Sequence, residues 1–255
     1  MSRYLLNFGD SWANGPGGPH IENPCYSAQL SRLTDRQFVD LSQPSTSAAR
    51  MVIQFQQFIK EYYQPDQDYL AIFFITAQER QLAFDHAGSV RELHPETPEC
   101  RDYYKDIYTD HLGEFELNTI ILTLQAMSRY YNIDDRYLLG WQQPRLWPEV
   151  DLDRFYCQGQ TNTMRLLGGD KITDCASSGN INFIPGDGHP SVSGHTQIAQ
   201  ALHHWITGFN NVICKDMFCN FEHNHPDMYV PVVVHDQLDQ DTPTNLHNRK
   251  QCLVH

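Results

Sequence analysis

Tyr4-Leu5-Leu6-Asn7-Phe8-Gly9-Asp10-Ser11-Trp12 is a short apolar run that breaks into a loop at a glycine and delivers a serine two residues later. A strand is expected over residues 4–8, with Ser11 just past its carboxyl end. In open α/β sheets that edge is where ligands bind. The loop that follows, residues 13–24, is dense in glycine and proline and cannot continue a regular element. A second block stands far along the chain, Asp187-Gly188-His189-Pro190, directly before a helical pattern. A serine, a histidine and a carboxylate are the parts of a nucleophile, a general base and the group that orients the base.

Between the two blocks the pattern alternates. A helix is expected over 26–33, a strand over 37–41 and a turn through Pro44, Ser45 and Thr46. Met51, Phe55, Phe58, Ile59 and Tyr62 recur at helical spacing, which predicts an amphipathic helix over 48–63 with Ser47 as its N-cap. Tyr69 to Ile75 is apolar without alternation, as in a strand buried on both faces. A helix over 112–131, a strand over 136–141 and a last helix over 193–209 complete the series, while 144–186 reads as irregular, either partly helical or a substrate-covering insertion. Strand–helix alternation of this kind predicts an α/β fold, a three-layer α/β/α sandwich on a mostly parallel, flavodoxin-like sheet. Residues 1–209 would form the catalytic domain and 210–255, where the texture changes, a C-terminal appendage.

The 255 residues carry 31 acidic against 18 basic side chains, a formal charge of −13. That balance lacks the basic footprint of a nucleic-acid binder and disfavours anionic membranes. No signal peptide or membrane span is visible, and seven widely spaced cysteines do not read as a disulfide framework. A cytoplasmic protein with reduced thiols is the expectation. Cys214, Cys219, His223 and His225 are of metal-ligand type, but their spacing fits no standard zinc finger. No metal and no cofactor is expected.

Over residues 4–208 the chain resembles the SGNH/GDSL hydrolase superfamily, through Gly9-Asp10-Ser11, through Asp187-x-His189-Pro190 and through Ser193-Gly194-His195 opening a helix. The resemblance implies a serine esterase with Ser11 as nucleophile, His189 as base and Asp187 as orienting acid. Most of the family places the acid three residues before the histidine, where this chain has Gly186. Asp187 stands two before, as in a subset that includes polysaccharide O-acetylation proteins, and residues two apart in an extended segment share a side. The oxyanion hole would use the backbone N–H of Ser11, that of Ser45 in place of the family's glycine, and Thr76 or Gln78 in place of its asparagine. Trp12, Asn14, His20 and Arg80 are candidates for substrate contact. The substrate would be a small-molecule or carbohydrate ester, an O-acetyl group among them. A catalytically lapsed binding module and an O-acyltransferase are the competing readings.

Overall fold

The structure is a computed structural model that describes residues 1–15, 24–84, 89–169, 179–186 and 188–208. His20, Asp187 and the appendage of 210–255, with its cysteines and histidines, lie outside the described residues. Four strands, β1 (Arg3–Phe8), β2 (Gln37–Asp40), β3 (Asp68–Ile75) and β6 (Asp134–Leu139), pair in parallel in the order β2-β1-β3-β6. β3 has a strand on either side and helices over both faces, which explains why its sequence shows no polar alternation. The helices are α2 (Tyr26–Leu33), α3 (Ala48–Glu61), α5 (Asp110–Tyr130) and α7 (Val192–Ile206), with short α1 (Ser11–Asn14), α4 (Arg101–Asp106) and α6 (Thr163–Leu166) among the connections.

Alternation along the strands divides the core into two layers. Leu5, Leu70, Ile72, Phe74 and Leu138 pack against Tyr26 and Leu30 of α2 and Ile198 and Leu202 of α7. Leu6, Phe8, Phe73, Ile75 and Leu139 face Met51, Phe55 and Phe58 of α3 and Leu117, Ile121 and Leu124 of α5. The second layer contains a row of stacked rings in register across three strands. Phe8 lies 4.7 Å from Phe73, Phe73 lies 5.2 Å from Tyr137, and Tyr137 lies 4.8 Å from Phe155. Each such pair adds about 1 kcal/mol beyond the area it buries.

The three-layer α/β/α architecture is therefore as expected. The differences are local. Two short segments without strong periodicity, β4 (Gln81–Phe84) and β5 (Val90–Leu93), pair antiparallel with each other. Glu92 of β5 accepts the Ser47 N–H at 3.0 Å, while the Ser47 hydroxyl makes no capping bond to α3. The described part of 144–186 is partly helical, with α6 and two single turns at Leu152–Arg154 and Tyr156–Gly159. Cys25 and Cys100 are buried free thiols, whereas Cys157 is disulfide-bonded, which corrects the expectation of reduced thiols throughout. Among the described residues no helix is long and apolar enough to cross a membrane.

Candidate active site

All four parallel strands end at one edge, and the candidate residues leave the sheet there. At the end of β1, Gly9 adopts φ +153° so that the chain can turn beneath Phe74 and Ala13. Asp10 caps α1, its Oδ1 accepting the Trp12 N–H at 2.9 Å. Ser11 is thereby the first residue of the helix, half-buried, with a backbone N–H that has no acceptor within the helix.

His189 approaches from the other side. Its loop is closed on itself by Ile184 N–H donating to the His189 carbonyl at 2.8 Å and by a bridge between Phe183 and Pro190. Ser191 then caps α7 through its hydroxyl, which accepts the Gly194 N–H at 3.2 Å. Gly194 is required at that point, since a Cβ there would stand 2.3 Å from the Asn182 carbonyl oxygen. The result is that His189 Nε2 lies 2.8 Å from Ser11 Oγ, across 178 residues of sequence. That is within reach of direct proton transfer.

The remaining candidates divide between the open edge and the interior. Ser45 is exposed with φ +60°, the left-handed conformation that favours glycine, so the backbone of a glycine position is kept with a serine in it. Its turn is stitched to the Ser11 loop, because Gln43 N–H and Thr46 Oγ1 both donate to the Gly9 carbonyl, at 2.9 and 3.2 Å. Thr76 is buried, and its hydroxyl donates to Asp10 Oδ2 at 2.8 Å rather than facing Ser45. Gln78 is half-buried, with its N–H on Gln142 Oε1 at 3.2 Å, and lines a cleft of about 660 Å³ with Glu79, Tyr108 and Gln142. A second cleft, of about 360 Å³, lies between Asp68, Asp134 and Asp135 at the amino-terminal ends of the strands, away from Ser11.

Three of the residues named for substrate contact have other engagements. Trp12 is 1% exposed and packs among Phe74, Trp141, Phe183 and the His189 ring. Asn14 is buried, with its amide donating to Asp40 Oδ2 and Ser42 Oγ at 3.1 and 3.2 Å. Arg80 donates to Asp10 Oδ2 at 2.8 Å and lies 4.8 Å over the Trp141 ring.

Two titratable groups beside the site are perturbed by burial. Burial pushes the Asp10 carboxyl up, against the pull of the Arg80 guanidinium, the Trp12 N–H and the Thr76 hydroxyl. Burial holds His195 down at about 4, with His189 contributing in the same direction. The Tyr26 N–H donates to His195 Nδ1 at 3.3 Å, so the neutral ring carries its proton on Nε2. The pairing of Arg80 with Asp10 was not foreseen from the sequence. An aspartate beside Ser11 and an arginine after the third strand are separately unremarkable, and their 70-residue separation conceals the contact.

No family model and no curated protein matches the sequence. Among solved structures the chain is similar to TesA, at 14% identity over 82% of this chain and 100% of that one, with a TM-score of 0.45. It is similar to a protein of the lipolytic G-D-S-L family from Desulfitobacterium hafniense DCB-2, at 13% identity over 80% and 99% of the two chains, with a TM-score of 0.43. A family two carbohydrate esterase from Clostridium thermocellum matches at 12% identity over 82% and 64%, with a TM-score of 0.39. Each of these similarities covers about four-fifths of this chain.

Proposed function

We propose that the chain is a serine esterase or deacylase of the SGNH/GDSL type, acting on small acyl esters through an acyl-Ser11 intermediate. The observation that carries this reading is the 2.8 Å contact between Ser11 Oγ and His189 Nε2 at the carboxyl edge of the sheet. In the acylation step His189 Nε2 takes the hydroxyl proton as Oγ bonds to the ester carbonyl carbon. The imidazolium then gives that proton to the departing alkoxide, leaving the acyl group on Ser11. Water repeats the sequence, losing a proton to His189 and releasing the acid. Asp187 is assigned to the other imidazole nitrogen, where a carboxylate fixes the tautomer and stabilises the cation. Charge on the carbonyl oxygen is met by the N–H groups of Ser11 and Ser45, each such donor being worth a few kcal/mol in the transition state. With the Thr76 hydroxyl directed at Asp10, Gln78 is the remaining candidate for a third. O-acetyl esters of carbohydrates are the substrate class assigned, and hydrolysis is the reaction assigned.

The test is labelling by a serine-directed fluorophosphonate together with p-nitrophenyl acetate turnover. Ser11→Ala should abolish both, and His189→Ala should remove most of each. Asp187→Asn should leave more activity than either, since the orienting carboxylate contributes less than nucleophile or base. A folded wild type that takes no label and cleaves no acyl ester would show the fold to be used for binding instead.

A further inference from the structure

We propose that Arg80 is a positioning residue for the Ser11–His189 pair, its single guanidinium holding the nucleophile through Asp10 and the base through Trp141 and Trp12. The inference rests on the reading of Ser11 and His189 as nucleophile and base. The first arm begins at α1, which at four residues is far too short to hold its own shape. Its orientation depends on Asp10, whose Oδ1 caps the helix at Trp12 N while Oδ2 accepts from Thr76 Oγ1 and Arg80 Nη1, both at 2.8 Å. Asp10 is 0% exposed, and a carboxylate so buried stays ionised only beside a cation and donors. Arg80 supplies that cation from the loop after β3. Among the described residues, the other titratable groups facing Asp10 are His189, on the loop before α7, and Tyr26, on α2.

The second arm is a row of rings. Arg80 lies 4.8 Å over Trp141, Trp141 lies 5.3 Å from Trp12, and Trp12 lies 6.4 Å from the His189 imidazole. A planar cation that pairs on one edge and stacks on one face is a task for arginine, which lysine performs only in part. Without the cation, burial raises the pH at which Asp10 takes up a proton. The protonated acid is then a poorer acceptor for the Trp12 N–H, so Ser11 loses its fixed position as the pH falls.

The experiment uses the full chain and compares wild type, Arg80→Lys, Arg80→Gln, Asp10→Asn and the Asp10→Asn/Arg80→Gln double variant. It reads fluorophosphonate labelling rates and the pH profile of p-nitrophenyl acetate turnover, with circular dichroism to confirm folding. Arg80→Gln should lower kcat about 100-fold with KM little changed, the loss expected from misplacing a reacting group by about an ångström. The acid limb of its kcat/KM profile should move to higher pH, and Arg80→Lys should recover part of both effects. In the Asp10→Asn background, Arg80→Gln should add less than it does alone, because both act through one contact. If Arg80→Gln does not fold, Arg80→Lys decides: an acid limb displaced to higher pH than that of wild type supports the inference, and one lying on that of wild type overturns it. Folded Arg80 variants with wild-type labelling rates and an unmoved acid limb overturn the inference while leaving the esterase reading intact. A wild type that takes no label overturns that reading and this inference with it.

Discussion

Replacing Gly9 by alanine should injure stability and chemistry together, for reasons visible in the turn that presents Ser11. A Cβ on Gly9 would stand 2.6 Å from Ala13 Cβ and 2.8 Å from Phe74 Cβ. Neither neighbour can swing aside, since both are first side-chain atoms, one on α1 and one on β3. Relief therefore requires the backbone of α1 to move. The φ of +153° adds strain that an alanine cannot avoid. Overpacking of this kind costs about 1–3 kcal/mol, and the backbone strain about 1–3 kcal/mol more. Together these should lower the melting temperature by roughly 5–20 °C at about 2–4 °C per kcal/mol for a chain of this size. Displacing Ser11 from its 2.8 Å contact should slow fluorophosphonate labelling about 10- to 100-fold at temperatures where the variant is folded. Adding Ala13→Gly removes the closest contact and should restore part of the loss, the Phe74 contact and the strain remaining. A Gly9→Ala protein that melts within about 2 °C of wild type and labels at the same rate would refute the account of this turn.

Two further outcomes follow from backbone and burial. Ser45→Gly should leave turnover unchanged and stability within about 1 kcal/mol, as relief at φ +60° is offset by the greater freedom of unfolded glycine; a tenfold loss in p-nitrophenyl acetate turnover would assign the role to the hydroxyl instead. Ser45→Val, β-branched at a positive φ, should lower both stability and kcat. His195 should make the fold sensitive to acid: its folded pKa of about 4 lies below the ordinary histidine value, so between roughly pH 6.5 and 4 the unfolded chain takes up a proton that the native chain refuses. Stability contributed at neutral pH is lost as the pH falls through that window, by about 3 kcal/mol in total, and denaturant titrations of His195→Gln should lack that part of the slope.

The layered fold was legible because its signals are periodic and local. Met51, Phe55 and Phe58 mark the buried stripe of α3, and the unbroken apolar run from Tyr69 to Ile75 marks a central strand. The expected helix over 26–33 agrees with α2 residue for residue, whereas that over 48–63 stops at Glu61 and that over 112–131 starts earlier, at Asp110. Thr109 sets that start, its hydroxyl accepting the Leu112 N–H at 3.1 Å, a cap that the hydrophobic pattern does not contain. The β4–β5 pair was not legible because its eight residues bury little and, among the described residues, its strands pair with no other strand. Within the site, the approach of His189 to Ser11 was legible from their flanking motifs. The engagements of Asn14, Thr76 and Arg80 were not, because each depends on a partner at least 26 residues away.

One sequence signal did bear on those engagements, the polar Asn7 in the middle of an apolar strand. Asn7 is 0% exposed, and such a residue requires partners for every polar atom. It donates to the Ala13 carbonyl and Asp40 Oδ1 at 3.2 and 3.0 Å and accepts from Ser27 Oγ at 2.6 Å. Asp40 also receives the Asn14 amide and the Ser42 hydroxyl, at 3.1 and 2.5 Å. The four-residue α1 is therefore held at its start by Asp10 and at its end by Asn7 and Asp40, with strands β1, β2 and β3 and helix α2 each contributing a partner or a neighbouring loop. A satisfied buried bond adds about 1 kcal/mol, but an orphaned partner costs about 1–3 kcal/mol, so the arrangement resists partial loosening more than it adds to stability. On the proposed reading that resistance matters, since a serine on so short a helix can pass its proton to His189 only if the contact is held near 2.8 Å. The Gly-Asp-Ser tripeptide supplies the turn and the hydroxyl, while the buried polar groups of the neighbouring strands keep the hydroxyl where the imidazole can reach it.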